Sequence, residues 1–246
     1  MNFIRSILGR IFALWALIWF VATMLVFFIP FTIIYYMPEP KRTLRFAAWA
    51  RVWMNICLPL IGCPVRLKGR EHFKRGENYI VICNHNSLMD VPLSYPGIPQ
   101  GNKTIAKTSM AKIPLFGMLY RIGSVLVDRN SEASRRESYV RMKEVLDMGL
   151  HMCLYPEGTR NKTNQPLKSF HNGAFKLAVD TQKPIMPAVI FHTRGVLPAD
   201  RVFFLWPHRL EMHFLPPVYV GKQDTREELE ERIYRLMTQY FVSRGL

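Results

Sequence analysis

The chain has 246 residues, of which 49% are hydrophobic, and its 33 Lys and Arg residues exceed its 18 Asp and Glu residues to give a formal net charge of +15. This apolar fraction is enough to bury a core, which excludes an intrinsically disordered chain, and the presence of only 4 cysteines excludes a disulfide-dense scaffold. The cysteines also lack the paired C-x-x-C spacing of a zinc site, so we expect them to be reduced and mostly buried. The positive charge favours an anionic partner, which is nucleic acid, an anionic bilayer or a phosphorylated small molecule.

The N-terminal segment is apolar enough to associate with a membrane. Residues 11–37 run for 27 positions without a charged side chain, and a helix of about 20 apolar residues spans the hydrocarbon of a bilayer. A cleaved signal peptide is the alternative, but its apolar part is usually about 7–15 residues long and ends at a small-residue cleavage site, which this segment lacks. Pro30 removes a backbone donor inside the run, so we expect the helix to kink or end there. Basic residues flank both ends, which leaves open whether the segment spans the bilayer or returns to the same face as a hairpin.

The next apolar stretch, residues 44–62, has the periodicity of a second helix. A stripe at helical spacing consists of Phe46, Trp49, Ala50, Trp53 and Cys57. The adjacent membrane segment favours an amphipathic helix in the bilayer interface, and the alternative is an ordinary helix whose stripe faces a protein core. We therefore divide the chain into N-terminal membrane-anchoring helices, residues 1–62, and an α/β domain, residues 63–246.

Beyond residue 62 the hydrophobic pattern alternates between strands and helices. Short β-rich runs are predicted at 64–68, 79–83, 104–107, 124–127, 151–155, 185–191 and 210–215, and helices at 132–148 and 225–240. This order predicts an α/β fold with a mixed sheet flanked by helices. Two runs, YIVIC and PAVIF, are apolar throughout, as expected of strands that are covered on both faces. Ligands of such sheets bind beyond the carboxyl ends of the strands, so the residues after each run are candidates for a site.

A histidine and an aspartate follow the run YIVIC. The segment NHNSLMD holds His85 and Asp90 in an H-x4-D spacing. On one continuous helix, five residues correspond to about 140° of rotation, so His85 is expected in the turn before a helix, where Asp90 can reach back to it. A carboxylate bonded to one ring nitrogen fixes the tautomer and leaves the other nitrogen as a base. We predict that His85 and Asp90 are catalytic; the alternative is a histidine that satisfies backbone groups of the turn.

Cationic side chains follow three other strands. The run HMCLY leads into PEGTRN, in which a glycine allows close approach of the backbone and an arginine offers a bidentate group to phosphate. Each cation alone is most often a solvated surface charge, but together they predict an anion site. The candidate binding residues are Glu157, Gly158, Thr159, Arg160, Arg129, Lys107 and Lys112.

Four segments in this order resemble the glycerophospholipid acyltransferase superfamily, and most closely the 1-acylglycerol-3-phosphate acyltransferases. NHNSLMD resembles the catalytic H-x4-D block, GSVLVDRN the second block, YPEGTRN the glycerophosphate-binding third block and PIMPAVI the proline-containing fourth block. The resemblance covers residues 80–190, and the membrane-associated N-terminus agrees with it. It implies transfer of a fatty acyl group from acyl-CoA or acyl carrier protein to the hydroxyl of 1-acylglycerol-3-phosphate, which gives phosphatidic acid.

The resemblance also implies roles for the candidate residues. His85 removes the hydroxyl proton and Asp90 orients the imidazole. Arg160 holds the phosphate, with Arg129, Lys107 and Lys112 as poorer candidates. A carboxylate beside a phosphate is repulsive, so Glu157 is expected to fix Arg160 or Arg129 or to bond a glycerol hydroxyl.

The sequence contains no G-x-S-x-G elbow and no cysteine beside a plausible base, so we expect direct transfer without an acyl-enzyme. No cofactor and no metal are expected. The implied partners are membrane lipids, the lyso-lipid acceptor and the acyl donor, at the cytoplasmic face of the inner (plasma) membrane.

Two other functions remain open. One is an acyltransferase of the same superfamily that uses another lyso-lipid, such as a lyso-aminolipid. The other is a membrane-anchored protein that binds nucleic acid or anionic lipid, which would explain the charge but not the His85–Asp90 pair. No helix-turn-helix, RNP or zinc pattern supports nucleic-acid binding.

Overall fold

The computed structural model describes residues 3–244, which form eight α-helices around one sheet. The helices are α1 (Phe3–Tyr35), α2 (Lys41–Leu60), α3 (Asp90–Gly97), α4 (Phe116–Gly123), α5 (Glu132–Asp147), α6 (Gly173–Thr181), α7 (Thr193–Val196) and α8 (Arg226–Ser243). The strands are β1 (Val65–Lys68), β2 (Ile80–Cys83), β3 (Asn102–Lys107), β4 (Ser124–Val127), β5 (His151–Leu154), β6 (Ile185–Phe191) and β7 (Leu210–Phe214). Each predicted strand run overlaps one of these strands, although β3 begins two residues before its predicted run, and the two predicted helices correspond to α5 and α8.

The sheet has 7 strands in the order β1-β7-β6-β2-β5-β3-β4. Neighbouring strands are parallel except for β6 and β7, which are antiparallel. The predicted mixed α/β fold is therefore confirmed. Because β2 to β6 all run in the same direction, their C-terminal ends lie along one edge of the sheet, which we call the carboxyl edge.

Two hydrophobic layers cover the two faces of the sheet, and successive side chains of β2 pack alternately into one layer and the other. Val81 and Cys83 face the layer that contains buried residues of α1 to α4. Ile80 and Ile82 face the opposite layer, which contains buried residues of α5, α6 and α8. A strand covered on both faces must be apolar at every position, which explains the run YIVIC.

Helix α1 packs along the domain by one side over most of its length. Its buried residues extend from Gly9 to Ile34, and the backbone N–H of Leu205 donates to Gly9 O at 3.0 Å. The helix continues through Pro30 to Tyr35, so it does not end at the proline. Within residues 3–244, α1 is the one helix long and apolar enough to cross a membrane. The exposed apolar side chains of its other side include Ile4, Ile7, Ile11, Leu14, Ile18, Leu25, Ile29 and Ile33.

Helix α2 turns its predicted stripe toward the protein, so the interfacial interpretation of that stripe is wrong. Of the five stripe residues only Trp49 is exposed. Trp53 illustrates the reason, because its ring stacks on Phe27 of α1 and its Nε1 donates to Thr23 Oγ1 at 2.9 Å. Periodicity shows that a helix has an apolar face but not what covers that face. The exposed apolar side chains of α2 lie on another face and include Val52, Ile56 and Leu60.

A largely buried ion pair ties the turn between α1 and α2 to the sheet. Lys103 Nζ, near the start of β3, donates to Glu39 Oε1 at 2.8 Å and to Ile122 O at 2.9 Å. Burial opposes the ionisation of Glu39, but hydrogen bonds from Lys103, Thr43 and Arg42 outweigh it and lower the pKa of this carboxyl to about 2. Burial lowers the pKa of Lys103 despite the same bond. The pair therefore adds little net stability, but each charge needs the other.

We expect Glu39→Gln to lower the free energy of unfolding by about 3 kcal/mol at neutral pH, because it leaves the buried Lys103 ammonium without a carboxylate. The folded pKa of Glu39 lies below its ordinary value of 4.5, so its contribution is complete above that pH and is lost as the pH falls through about 2. Urea unfolding in detergent across this range measures both effects, with the exposed Glu71→Gln as control. Equal stability of the Glu39 variant and wild type at neutral pH would contradict the prediction.

Candidate active site

The carboxyl edge brings together the loops that the sequence singled out. The loop after β2 holds His85, and the loop after the adjacent β5 holds residues 157–160. Lys107 ends β3, one strand further along, and Arg129 follows β4 at the end of the sheet. The topology therefore places His85 and the 157–160 loop side by side, with the remaining cations to one side of them.

His85 and Asp90 are hydrogen-bonded across the turn that precedes α3. His85 Nδ1 lies 2.8 Å from Asp90 Oδ2, and the histidine is partly exposed whereas the aspartate is buried. Asp90 is the first residue of α3, so the turn carries His85 and the helix start carries its partner, as the H-x4-D spacing requires. Since a carboxylate oxygen accepts, Nδ1 carries the hydrogen and Nε2 retains its lone pair.

Asp90 is held by more than the histidine. Its Oδ2 also accepts the backbone N–H groups of Asn86 at 2.7 Å and Ser87 at 2.8 Å. Its buried Oδ1 has no hydrogen-bond donor among residues 3–244. The aspartate therefore fixes both the turn and the ring through one oxygen atom.

Glu157 joins the two loops through backbone amides. Its Oε1 accepts the His85 N–H at 2.8 Å and its Oε2 accepts the Lys168 N–H at 3.0 Å. Its partners are thus amides and not the arginines that the sequence suggested. Burial raises the pKa of this carboxyl, and the two amide bonds offset part of that effect. With both oxygens occupied and 1% of its surface exposed, Glu157 links the two loops through their backbone amides.

Further bonds fix the backbone on both sides of His85. The N–H of Asn161 donates to His85 O at 2.6 Å, so residues 157–161 hold both the amide and the carbonyl of the histidine. On the other side, Asn84 exchanges two hydrogen bonds with the backbone of Ile190 in β6. The Ser87 hydroxyl donates to Leu197 O at 2.7 Å. The backbone around His85 is therefore hydrogen-bonded to β6 and to the loop after β5, on either side of β2.

Tyr155 is a site residue that the sequence analysis missed. Its ring lies against the His85 imidazole with the ring centroids 4.6 Å apart, and its hydroxyl lies 2.6 Å from Ser94 Oγ on α3. Burial raises the pKa of Tyr155 well above its ordinary value, so the ring is neutral. The signal in the sequence was its position at a strand end directly before PEGTR, but its contact with His85 follows from the pairing of β5 with β2, which the sequence does not show.

The predicted cations differ in their surroundings. Arg160 is half-buried, and its guanidinium has no hydrogen bond or ion pair within the described part of the chain. Arg129 donates to Gly158 O, so it supports the loop. Lys107 and Lys112 are exposed and form no ion pair with residues 3–244. Arg160 directly precedes Asn161, whose backbone N–H donates to His85 O.

The loop conformation requires the glycine at position 158. Its φ is +68°, and a Cβ there would lie 2.7 Å from the Cδ2 atom of His171. A larger residue would be strained by the left-handed backbone and would displace His171. Thr159 accepts a hydrogen bond from Lys168 Nζ through its hydroxyl at 2.7 Å. Within residues 3–244, no group of His, Cys, Asp and Glu side chains is arranged to hold a metal ion.

Comparison with known proteins finds similarity to acyltransferases. A family model described as "Acyltransferase" matches residues 64–191. The 1-acyl-sn-glycerol-3-phosphate acyltransferase of Cocos nucifera is 36% identical over 136 residues, which are 54% of this chain and 43% of that protein. The enzyme with the same name from Escherichia coli K12 is 28% identical over 202 residues, 79% of each chain. The chain thus spans less than half of the plant protein but about four fifths of the bacterial one.

A solved structure shares the whole architecture. The crystal structure of the 1-acyl-sn-glycerophosphate (LPA) acyltransferase, PlsC, from Thermotoga maritima superimposes with a TM-score of 0.80 and covers 97% of both chains at 22% identity. At this identity the match establishes the fold. The match includes the N-terminal helices, since it extends over nearly the entire chain.

Proposed function

The chain belongs to the acyltransferase family, and we propose that it transfers a fatty acyl group from an acyl thioester to the free hydroxyl of 1-acylglycerol-3-phosphate. The observation that carries this proposal is the position of Arg160. A half-buried guanidinium without a protein partner in residues 3–244 lies beside the loop that holds a histidine with an available Nε2. A phosphate on the arginine places a hydroxyl of the same small molecule at the histidine.

The chemistry follows from the His85–Asp90 pair. Nε2 of His85 removes the hydroxyl proton of the acceptor as its oxygen attacks the thioester carbonyl. The tetrahedral intermediate collapses, the C–S bond breaks, and the imidazolium returns the proton to the departing thiolate. Asp90 keeps the hydrogen on Nδ1 and stabilises the imidazolium.

Direct transfer is favoured over an acyl-enzyme. Cys83 and Cys153 are the cysteines near the site, and they lie buried behind it with their sulfur atoms 3.8 Å apart. Burial raises the pKa of the Cys83 thiol well above its ordinary value, which disfavours the nucleophilic thiolate. We propose that no side chain is acylated during turnover.

We further propose that residues 1–62 hold the enzyme on the cytoplasmic face of the membrane without crossing it. Contacts with the domain occur near both ends of α1, at Gly9 and at Thr32, whose hydroxyl lies 3.9 Å from Met118 Sδ. A helix held against the domain near both ends is suited to lie in one leaflet by its exposed apolar side. This position lets a lyso-lipid reach the site without leaving the bilayer.

Purified enzyme assayed across acceptors and donors tests the proposed function. We expect turnover of 1-acylglycerol-3-phosphate to exceed that of monoacylglycerol and of a lyso-aminolipid. Parallel assays with acyl-CoA and acyl carrier protein identify the donor. Preference for an acceptor that has no phosphate would overturn the proposal.

Arg160→Ala is expected to weaken use of the phosphate-bearing acceptor by about 2–4 kcal/mol, which is roughly 30- to 1000-fold in kcat/KM. The physical reason is the loss of a bidentate, charge-assisted contact. Monoacylglycerol, which has no phosphate, should show no comparable loss. Lys162→Ala removes an exposed positive charge two residues away and should have little effect. An unchanged kcat/KM for lysophosphatidate in the Arg160 variant would place the phosphate elsewhere.

A further inference from the structure

Two loops at the carboxyl edge end in exposed apolar tips. The first tip, residues 113–115, follows β3 and exposes 42% of Ile113 and 46% of Leu115. The second tip, residues 202–203, follows β6 and α7 and exposes 92% of Val202 and 48% of Phe203. Exposed apolar side chains that adjoin a larger apolar surface indicate an interaction site.

Both tips hold a bulky residue in a backbone conformation that it rarely adopts. The φ angle is +62° at Leu115 and +51° at Phe203. Leu115 has a ψ of −50°, and the Phe116 N–H donates to Pro114 O across it, so Leu115 is the central residue of a γ-turn. Glycine adopts a positive φ without cost, whereas leucine and phenylalanine are strained there. A strained and exposed side chain forms few stabilising contacts within its own protein. We therefore expect the strain to be offset by contact with a surface outside the protein.

The tips emerge next to the apolar helix α1. Phe116, directly after the first tip, packs on Phe20 of α1 with ring centroids 5.6 Å apart. Phe204, directly after the second tip, lies over Gly9 of α1, where a Cβ would come within 2.1 Å of its ring. Both tips therefore directly precede residues that pack against α1.

The sheet order places the tips on either side of the histidine. The strands β6, β2, β5 and β3 are consecutive neighbours. Along the chain, the second tip follows β6, His85 follows β2 and the first tip follows β3. A surface that contacts both tips therefore faces the carboxyl edge between them.

We propose that residues 113–115 and 202–203 insert into the interfacial layer of the leaflet on which α1 rests and thereby hold the His85 edge at headgroup depth. This inference rests on the proposed membrane-bound enzyme. The partner of the two tips is a bilayer with anionic headgroups. Its hydrocarbon covers both the apolar tips and the exposed apolar side of α1. Lys112, which is exposed and directly precedes the first tip, provides a charge complementary to such headgroups.

Site-specific fluorescence tests the insertion directly. The four native cysteines are buried, so Leu115→Cys and Val202→Cys can each be labelled selectively with an environment-sensitive NBD probe. Val140→Cys is the matched control, because Val140 is 55% exposed on α5, a helix of the opposite layer. We expect blue-shifted, brighter emission at 115 and 202, but not at 140, when phosphatidylcholine–phosphatidylglycerol vesicles are added. Unchanged emission at 115 and 202 in protein that co-floats with the vesicles would overturn the proposal.

The double variant Leu115→Gly/Phe203→Asn removes the apolar side chains, and both new residues tolerate a positive φ better than the residues they replace, so folding should be preserved. We expect its partitioning into the same vesicles to weaken by about tenfold or more. Activity on lysophosphatidate below its micelle concentration should be retained, while activity on vesicle-bound lysophosphatidate falls. Unchanged partitioning would contradict the insertion of the tips. The fluorescence and partitioning measurements contain no acceptor, so failure of the proposed acceptor specificity would leave their outcome intact and be recognised separately.

Discussion

Replacing His85 with alanine should lower kcat for acyl transfer by about 10²- to 10⁴-fold, because the variant lacks the base that removes the acceptor proton. The loss should appear in kcat with little change in KM, since the phosphate contact is left in place. The partly exposed side chain contributes little to the core, so thermal unfolding should be nearly unchanged. Steady-state kinetics with lysophosphatidate measures the effect, and His208→Ala, at an exposed histidine, is the control. More than about a tenth of wild-type kcat in the His85 variant would reject the mechanism.

Asp90→Asn separates the charge of Asp90 from its geometry. Because Oδ2 accepts all three hydrogen bonds and Oδ1 has no donor partner in residues 3–244, the asparagine oxygen can keep these bonds with its NH₂ group at the Oδ1 position. The buried NH₂ group then lacks an acceptor, which costs about 1–3 kcal/mol of stability. We expect a large fall in kcat with a folded protein, because the imidazolium loses its counter-charge. A variant with wild-type kcat would indicate that Asp90 only shapes the turn.

The local patterns in the sequence predicted the strands and several helices, but not α4, α6 or α7 and not the arrangement of the elements. Runs such as YIVIC and PAVIF must be buried on both faces, which restricts them to strands covered by helices. The position of β7 between β1 and β6, and its antiparallel pairing with β6, depend on contacts between residues far apart in the chain. No local periodicity encodes such contacts.

The same limit explains the orientation of α2. Its stripe was correctly predicted as the apolar face of a helix, but both lipid and protein bury apolar side chains, so the pattern is the same in either case. The structure supplies the missing information, since Trp53 finds Thr23 and Phe27 of α1 as partners. The exposed Val52 and Ile56 lie on another face of the helix.

Within the site, the candidate catalytic residues were easier to predict than the residues that hold them in place. The hydrogen bond between His85 and Asp90 was predictable because few residue types can form a base and its orienting partner, and their spacing fits a turn. Glu157 and Tyr155 act through backbone amides and ring packing, which any of several residue types could provide. Their partners become visible only when β2 and β5 are known to be neighbours.

Glu157→Gln is expected to lower both stability and kcat, because in the wild-type protein this one carboxylate joins two loops. The buried side chain accepts the amides of His85 and Lys168, whereas glutamine offers one acceptor and turns an NH₂ group toward the other amide. One unsatisfied buried donor costs about 1–3 kcal/mol of stability. The displaced backbone of His85 should reduce kcat by about 10- to 100-fold, since small errors in the position of a catalytic group are costly.

The KM-to-kcat split distinguishes a positioning residue from a binding residue. If Glu157 positions His85, Glu157→Gln lowers kcat for every acceptor and leaves the KM for lysophosphatidate nearly unchanged, in contrast to Arg160→Ala, which weakens the phosphate-bearing acceptor alone. Urea unfolding of the same preparation measures the stability loss, and the exposed Glu71→Gln should alter neither property. A rise in KM confined to lysophosphatidate would show instead that Glu157 contacts the acceptor. Reduced stability with wild-type kcat would show that the bond to the His85 amide supports the fold but not the position of the base.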